Sequence, residues 1–385
     1  MVLVYEPICY GYEHVPINTS IIKILLASGE KDILFYGEEY HCKLIADELN
    51  NLELNYVKFK YVVIPTRKLN FQKRIFSDLK NIYSILAHAS KQPVFFVITS
   101  ANPSVLISTK IAKPLFFNTI IFKIILHGGI SVIDGWRSKN PFLRMIDFTG
   151  AISWLNCKSL EYFVLEESIY NNVISTLPHI KPYINYIDHP ILDYKCDIKL
   201  LNVNDEKTVI RIGYLGVVNE SKGFDEFIDV AERIKSEMSG FFKFYVIGHS
   251  QKTDVRYSEI FEYGPKYDPI DRSEYLSIAN MMHYICFPYR EDHYKFSASG
   301  ALLDAIYLRK PIIATDIQIF ESLFNKYGDI GYKYKEGTLY QAILSLINDH
   351  NLEKYSEFVN RLAVIREDRL PKNQINNLLL INTNI

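Results

Sequence analysis

The sequence has few of the features that mark specialised protein classes. Its cysteines are scattered without paired spacing: Cys9, Cys42, Cys157, Cys196 and Cys286. This pattern excludes a disulfide framework and carries no zinc signature, so we expect reduced thiols in a cytoplasmic protein. Its 43 basic residues nearly balance 44 acidic ones, and no overall positive field favours nucleic acid as a partner.

The sequence also lacks a long uninterrupted apolar run. The most apolar region, Pro114 to Ile133, contains Asn118, Lys123 and His127, so it is not predicted to span a membrane. Met1 leads directly into an expected strand, and we expect no signal peptide. Internal repeats and low-complexity segments are absent as well.

The sequence has enough length and apolar content for two α/β domains. A chain of 385 residues, 48% of them apolar, is long and apolar enough for two domains of roughly 190 residues each. Strand and helix patterns alternate, and fully apolar strands such as Ile120–His127 are typical of a parallel sheet covered on both faces. We therefore predict doubly wound α/β domains. The first helix is expected from Thr19 to Ser28, with Asn18 as its cap.

The most informative stretch runs from Tyr284 to Thr315. It predicts a buried strand, a polar loop, a helix over about Gly300–Leu308 and a second buried strand. Ser299 and Gly300 lie where the loop becomes the helix, and free N–H groups there favour an anion such as phosphate. Asp304 follows one helical turn later, on the face that Gly300 begins.

This stretch resembles the C-terminal signature of retaining, nucleotide-sugar-dependent glycosyltransferases of the GT-B fold, close to glycosyltransferase family 4. That family usually shows a Pro, an acidic residue, a Gly near the helix start, Glu-Ala, and a Gly-x-Pro-Val-Ile strand. The matching residues here are Pro288, Ser299-Gly300, Asp304-Ala305 and Pro311-Ile312-Ile313. The chain departs from the pattern in having Asp304 for the second Glu and Arg309 for the Gly before the Pro.

The resemblance implies two Rossmann-like, doubly wound domains that face each other across a cleft. Residues 1–190 would form the acceptor-side domain and residues 191–369 the nucleotide-sugar-binding domain. Residues 370–385 would pack back on the N-terminal domain, as the final helix of this fold does. The first boundary is placed near Pro190, which disfavours helix before it.

The resemblance also implies a donor site in the second domain. Family 4 uses a Gly-Arg…Lys-Gly pair to grip the diphosphate; Gly216 and Lys222-Gly223 fit, but Val217 occupies the Arg position. We expect Arg290 or Lys295 to supply the missing charge where negative charge develops on the leaving diphosphate. The other predicted donor-binding residues are Ser299, Gly300, Asp304 (for the ribose), Gly248 and Tyr263.

Candidate catalytic residues lie in the first domain. His127 ends an apolar strand and resembles the family 4 histidine that contacts the transferred sugar. Glu13 and His14 belong to the loop after the first strand, where such sheets bind ligands. An alternative is that Gly11 to Pro16 resembles the Gly-His-x-x-Pro loop of inverting GT-B enzymes, with His14 as general base.

The resulting prediction is a hexosyltransferase that moves a sugar from a nucleotide diphosphate donor, such as a UDP-sugar, to a hydroxyl. The acceptor would be a glycan, a glycolipid or a protein-linked sugar. No Asp-x-Asp pair is present, so we predict no metal and no other cofactor. A catalytically silent protein that binds nucleotide sugar or a partner is the alternative of another class. The basic amphipathic helix Phe71–His88 leaves open peripheral contact with the cytoplasmic membrane face.

Overall fold

The chain divides into two compact units. A computed structural model describes residues 1–49, 56–66, 68–87, 95–116, 120–135, 137, 139–193, 198, 209–238, 240–251 and 254–379. Unit 1 comprises Met1–Leu192 and Arg369–Ile385, and unit 2 comprises Asp193–Asp368. Cys196, the expected helix end at His88 and residues 380–385 lie outside the described residues.

Unit 1 is built on a parallel sheet with the strand order β3-β2-β1-β4-β5-β6-β7. Its strands are β1 (Val2–Tyr5), β2 (Ile33–Gly37), β3 (Val57–Tyr61), β4 (Phe95–Ile98), β5 (Ile121–Ile125), β6 (Leu160–Leu165) and β7 (Ile184–Ile187). Most of their residues are buried, because helices cover both faces of a sheet of this kind. The strand order reverses between β1 and β4, which leaves a crevice at the carboxyl ends of these strands.

The helices of unit 1 follow the strands in alternation. They are α1 (Val15–Ala27), α2 (Glu39–Glu48), α3 (Phe71–Ala87), α4 (Pro103–Phe116), α5 (Pro141–Ile146), α6 (Phe148–Ser153) and α7 (Glu167–Thr176). The predicted start of α1 was wrong: it begins at Val15, and Asn18 is buried inside it. Pro16 accounts for the earlier start, because a residue without an N–H group loses nothing in the first turn.

Unit 2 is built on a second parallel sheet, with the order β12-β11-β10-β8-β9. Its strands are β8 (Ile210–Leu215), β9 (Phe242–Ile247), β10 (Tyr284–Phe287), β11 (Ile312–Thr315) and β12 (Gly331–Tyr334). Its helices are α8 (Phe224–Glu237), α9 (Arg256–Ile260), α10 (Arg272–Asn280), α11 (Glu291–Tyr294), α12 (Gly300–Tyr307), α13 (Gln318–Tyr327), α14 (Leu339–Asp349) and α15 (Leu352–Asp368). The order reverses between β8 and β10. Both units therefore confirm the predicted doubly wound α/β class.

The chain returns to unit 1 at Arg369, ahead of a short helix, α16 (Ile375–Leu379). The Arg369 guanidinium is buried and donates two hydrogen bonds to Glu166, at 2.6 and 2.7 Å. Glu166 follows β6 with a φ of 111°, a strained value for a residue with a side chain. Ile191 N–H donates to the Arg369 carbonyl at 2.9 Å, so the residues on both sides of unit 2 meet in unit 1.

Across the part of the chain that the structure describes, no helix combines the length and the apolar character needed to cross a bilayer. Four of the cysteines (Cys9, Cys42, Cys157 and Cys286) are free thiols.

Candidate functional site

Glycines hold together the turns at the carboxyl edge of unit 2, meaning the edge where the carboxyl ends of its strands lie. Gly216 follows β8 with a φ of +94°. A Cβ on Gly248, after β9, would lie 1.8 Å from the Gly216 carbonyl oxygen. A Cβ on Gly223 would lie 1.7 Å from the carbonyl oxygen of Pro288, after β10. The turns of three neighbouring strands therefore contact each other through their backbones, which only glycine permits at these positions.

Lys222 lies between these turns. Its Nζ is 2.9 Å from where a Cβ on Gly216 would be, and Asn219 Oδ1 accepts a hydrogen bond from its backbone N–H at 2.9 Å. Within the described residues, the Lys222 ammonium forms no hydrogen bond or ion pair. Burial lowers the pKa of Lys222, and the Asp304 carboxylate partly opposes this shift. Removing a cation from water without giving it a partner costs free energy, so this edge of the sheet favours binding of an anion.

The N-terminus of α12 belongs to the same edge. Ser299 caps this helix: its Oγ accepts from Leu302 N–H at 3.2 Å and is hydrogen-bonded to the Tyr289 hydroxyl at 2.9 Å. The Ser299 hydroxyl therefore fixes the start of the helix. Gly300 is exposed, and a Cβ there would meet no atom within 4 Å. Open space thus adjoins a first turn whose amides favour negative charge.

Asp304, the predicted ribose-binding residue, has an ion-pair partner that the sequence did not indicate. Arg272, the first residue of α10, donates to both carboxylate oxygens of Asp304, at 3.0 and 2.5 Å. The Asp304 side chain is 14% exposed and that of Arg272 is 42% exposed. This two-pronged geometry is the strong form of an arginine–carboxylate pair.

The other two predicted cations differ in their surroundings. Arg290 forms an ion pair with Asp225 on α8, and its backbone N–H donates to the Ser221 carbonyl at 3.4 Å. Lys295 is exposed, with its ammonium 5.3 Å from the centre of the Phe296 ring. Arg290 therefore already has a carboxylate partner in the structure.

Tyr263 lies on a segment that runs beside β9. Its carbonyl accepts from Val246 N–H at 2.7 Å, and Lys266 N–H donates to the Gly248 carbonyl at 2.9 Å. The Tyr263 hydroxyl donates to Glu274 on α10 at 2.8 Å. Burial and the Glu274 carboxylate raise the pKa of Tyr263 to about 12, so the phenol is neutral at physiological pH.

A cavity of about 740 Å³ opens beside this carboxyl edge of unit 2, along α8 and α9. Val217 to Ser221 contribute to its wall together with Phe224, Ile228 and Tyr257. None of the predicted donor-binding residues lines it.

Unit 1 organises its carboxyl edge around Glu6, a fully buried carboxylate directly after β1. It accepts hydrogen bonds from the following groups: Ile8 N–H (2.9 Å), Cys9 N–H (3.1 Å), Asn18 Nδ2 (3.0 Å), Thr99 Oγ1 (2.9 Å) and Ser100 Oγ. Burial acts to raise the pKa of Glu6, but these hydrogen bonds outweigh it and leave the pKa lowered. Glu6 thus fixes the loop that leads to His14. Its position directly after an apolar strand was the sequence signal that we missed.

Glu6, Cys9 and His14 offer three ligand atoms that all lie within 4.8 Å of one another, close enough for a metal ion. The Cys9 thiol and His14 Nδ1 are 3.1 Å apart, which is a hydrogen-bonding distance. Five donors already fill the lone pairs of the Glu6 carboxylate. An ion would have to displace several of them, so this donor set is a poor fit to a metal.

The structure brings together His14 and His127, two residues that the sequence analysis considered separately. Their rings stack with centres 3.9 Å apart and planes 15° from parallel. His14 has a φ of 57° and precedes α1, while His127 follows β5. Burial, with repulsion from His14 and His189, lowers the pKa of His127 well below its usual range. His127 Nδ1 is buried without a hydrogen-bond partner among the described residues. His127 is therefore a neutral imidazole.

Glu13 is the residue before His14 in the same loop. It is exposed, and its carboxylate accepts a long hydrogen bond, 3.5 Å, from Tyr10 N–H. His189, which the sequence did not single out, lies edge-on to His127 with ring centres 6.0 Å apart. Burial lowers the pKa of His189 to about 4.

The fold is similar to that of solved glycosyltransferase structures at low sequence identity. The chain superposes on a glycosyltransferase from Rickettsia africae (TM-score 0.63, 12% identity, 98% of this chain and 94% of that one). It also matches an E. coli trehalose-6-phosphate protein bound with UDP-2-fluoro glucose (0.63, 11%, 98% and 96%). A third match is Anabaena HepE in complex with UDP (0.60, 12%, 97% and 96%). No protein-family model and no curated protein matches the sequence. These likenesses show a GT-B-like fold.

Proposed function

We propose that this protein is a glycosyltransferase that moves a sugar from a nucleotide diphosphate sugar to a hydroxyl acceptor. The observation that carries the proposal is the Lys222 ammonium, which is desolvated and unpaired in the described part of the chain, at the carboxyl edge of a doubly wound sheet. Lys222 would hold the diphosphate, and the first amides of α12 at Ser299 and Gly300 would share its charge. Transfer would then need no metal, because these groups stabilise the leaving diphosphate.

Binding of a diphosphate to Lys222 is the first test. We expect Lys222→Ala to weaken binding of UDP by roughly 1.5–3 kcal/mol, as for other charge-assisted hydrogen bonds. Isothermal titration calorimetry measures the change. Lys243→Ala is the matched control, because Lys243 is a cation of the same unit that pairs with Glu262 at 3.2 Å. Equal affinity of Lys222→Ala and the wild type for every nucleoside diphosphate tried would refute the role.

The nucleotide itself is to be identified by a thermal-shift panel of nucleotides and nucleotide sugars. We propose UDP-sugars as the first to try, since UDP and UDP-2-fluoro glucose occupy two of the similar structures. A ligand that binds only the folded state raises the melting temperature by mass action. Gly248 and Tyr263 are proposed to border the nucleotide, and Asp304 is the residue that the family resemblance assigns to its ribose.

The stereochemistry of transfer is proposed to be retention, with His127 orienting the donor sugar. Inversion with His14 as general base is the alternative. His14 Nδ1 is 3.1 Å from the Cys9 thiol, and the Glu6 carboxylate lies within 4.8 Å of the ligand atoms of both residues. The anomeric configuration of the first-formed product, read by NMR, distinguishes the two mechanisms. Glu13, being exposed, is proposed to contribute through acceptor contacts rather than through the His14–His127 pair.

A catalytically silent, nucleotide-sugar-binding protein is the second candidate function. The absence of the family's arginine at Val217 favours it. Slow hydrolysis of the donor without an acceptor counts for the enzyme. Binding of the donor with no turnover on glycan, glycolipid or protein-linked sugar acceptors counts for the silent protein.

Peripheral contact with a membrane is a separate proposal, consistent with a cytoplasmic glycosyltransferase that uses a lipid-linked acceptor. Phe76 and Tyr83 on α3 are 73% and 53% exposed, and exposed Lys73 and Lys80 lie on the same helix. We expect the protein to sediment with vesicles containing anionic lipid and Phe76→Ser to reduce this binding. Sedimentation equal to that with neutral vesicles would contradict the proposal.

A further inference from the structure

We infer that Arg272 is the second cation of the diphosphate site, held in place by Asp304, and that it replaces the arginine that is missing at Val217. This inference rests on the proposed function of the same site. It also reverses an expectation from the sequence, in which Arg290 or Lys295 supplied the charge and Asp304 bound the ribose.

The first step is the direction of the Asp304 side chain. Side chains on a helix tilt towards its N-terminus, so a residue one turn into α12 lies alongside the first turn. Arg272 binds both oxygens of Asp304, and the guanidinium is therefore held beside the N-terminal end of α12. Gly300 leaves open space at that turn.

The second step is the position of Lys222 relative to the same carboxylate. Asp304 acts electrostatically on Lys222, so the one carboxylate lies near both cations. Two cations and a helix N-terminus surround a single negative charge, which leaves this part of the site net positive. A diphosphate supplies the further negative charge, and its two phosphoryl groups give each cation its own partner.

The third step is the choice among cations. Both arginines have a carboxylate partner, but Asp225, the partner of Arg290, lies on α8, whereas Asp304, the partner of Arg272, lies on α12 and acts electrostatically on Lys222. Lys295 is exposed. Arg272 is anchored by a two-pronged pair and remains 42% exposed. A planar guanidinium has further N–H groups that can donate to phosphate while two of them hold the carboxylate. Asp304 in this arrangement is a positioning residue.

The experiment measures the affinity of inorganic pyrophosphate and of UDP by calorimetry in metal-free buffer. Pyrophosphate is used because it carries the diphosphate charge without base or ribose. We expect Arg272→Ala to weaken both ligands about tenfold or more, as expected for the loss of a charge-assisted hydrogen bond. Arg272→Lys should lie between Arg272→Ala and the wild type, because it keeps the charge but loses the planar fork.

Asp304 variants separate positioning from ribose binding. If Asp304 positions Arg272, Asp304→Asn weakens pyrophosphate binding and Asp304→Glu restores most of it. If Asp304 binds the ribose, Asp304→Asn weakens UDP and leaves pyrophosphate unchanged, and this outcome overturns the inference. Arg233→Ala is the matched control: Arg233 is an exposed arginine near the far end of α8 that pairs with Glu237 at 2.9 Å. We expect it to leave both affinities unchanged.

Failure of the inference is distinguishable from failure of the proposed function. If Lys222→Ala loses pyrophosphate affinity while Arg272→Ala does not, the diphosphate site stands and the assignment of Arg272 falls. A loss in Arg290→Ala in place of Arg272→Ala likewise overturns it in favour of Arg290. If pyrophosphate and UDP bind equally well to Lys222→Ala and to the wild type, the proposed function falls.

Discussion

The two carboxyl edges leave their principal charged groups in opposite states. In unit 1, the Glu6 carboxylate accepts hydrogen bonds from five donors. In unit 2, the Lys222 ammonium has no hydrogen bond or ion pair among the described residues. A buried carboxylate with all its partners in the same unit stabilises the fold, whereas a half-buried ammonium without a partner favours binding of an anion. This difference is the basis for proposing that Glu6 serves the fold and Lys222 serves binding, although both residues lie in the loop after the first strand of their sheet.

The largest effect is expected from removing the Glu6 carboxylate, which tests its role in the stability of unit 1. Glu6→Ala leaves several buried donors unsatisfied, each costing roughly 1–3 kcal/mol, so we expect unit 1 to lose about 4 kcal/mol or more. Both tryptophans, Trp136 and Trp154, are in unit 1, so tryptophan fluorescence during urea unfolding follows this unit alone. Glu13→Ala, in the same loop but exposed, is the control. Equal midpoints for the two variants would show that Glu6 is not the centre of the network.

Unit 2 depends on close backbone contact rather than on a saturated charge. Gly248→Ala places a Cβ 1.8 Å from the Gly216 carbonyl oxygen, so the two turns must separate. We expect a loss of about 3 kcal/mol, the upper end of overpacking costs, together with weaker diphosphate binding. Circular dichroism measures this loss of stability as a lower melting temperature. Tryptophan fluorescence, which follows unit 1, should not change. Gly264→Ala, whose Cβ would lie an ordinary 3.6 Å from Tyr257, should melt like the wild type.

Asp78 on α3 sharpens the comparison within unit 1. It is as buried as Glu6, but Ser104 Oγ donates to one oxygen (2.6 Å) while the other oxygen has no hydrogen bond within the described chain. Burial raises the pKa of Asp78 to about 6.

A raised carboxyl pKa means that the ionised form destabilises the fold. We therefore expect the stability of unit 1 to fall as the pH rises from 4 through about 6. Asp78→Asn should remove this dependence and stabilise unit 1 at pH 8 by about 2 kcal/mol, below the limit of about 3 kcal/mol that two pKa units represent. Urea midpoints from tryptophan fluorescence at pH 5 and pH 8 measure it. An unchanged pH profile in the variant would mean that another group titrates.

The smallest expected effect concerns metal. If Lys222 and the α12 N-terminus stabilise the leaving diphosphate, turnover should survive EDTA with less than about a twofold loss, under 0.5 kcal/mol in the barrier. Initial rates with and without chelator provide the measurement. Activity that disappears with EDTA and returns with manganese or magnesium would place an ion where we place Lys222.

Local patterns predicted the elements that build the site. The predicted strand, helix and strand between Tyr284 and Thr315 agree with β10, α12 and β11 to within one residue. Apolar runs bounded by Gly, Pro and Ser define such elements locally, and the turn glycines follow from the same signals. The start of α1 was misjudged because Asn18 has the side chain of a cap, but it lies inside the helix, where its Nδ2 donates to Glu6 at 3.0 Å.

Pairings between residues far apart in the sequence could not be predicted from the sequence. Arg272 and Asp304 are 32 positions apart, and neither position carries a local signal for the other. The same holds for His14 and His127, whose ring stacking depends on the order of β1, β4 and β5 in the sheet. Sequence patterns indicate which residues reach an edge. Only the folded structure shows which of these residues pair with each other.

The buried Arg369–Glu166 pair has a consequence for biosynthesis. Glu166 is translated long before its partner, because all of unit 2, Asp193–Asp368, comes between them. At roughly 5–20 residues per second, the ribosome needs about 10–35 s to reach Arg369 after leaving the first segment of unit 1. During this interval, unit 1 has a carboxylate that must stay solvated, while unit 2 emerges as one continuous segment. We therefore expect unit 1 to complete its fold only after all of unit 2 has been translated.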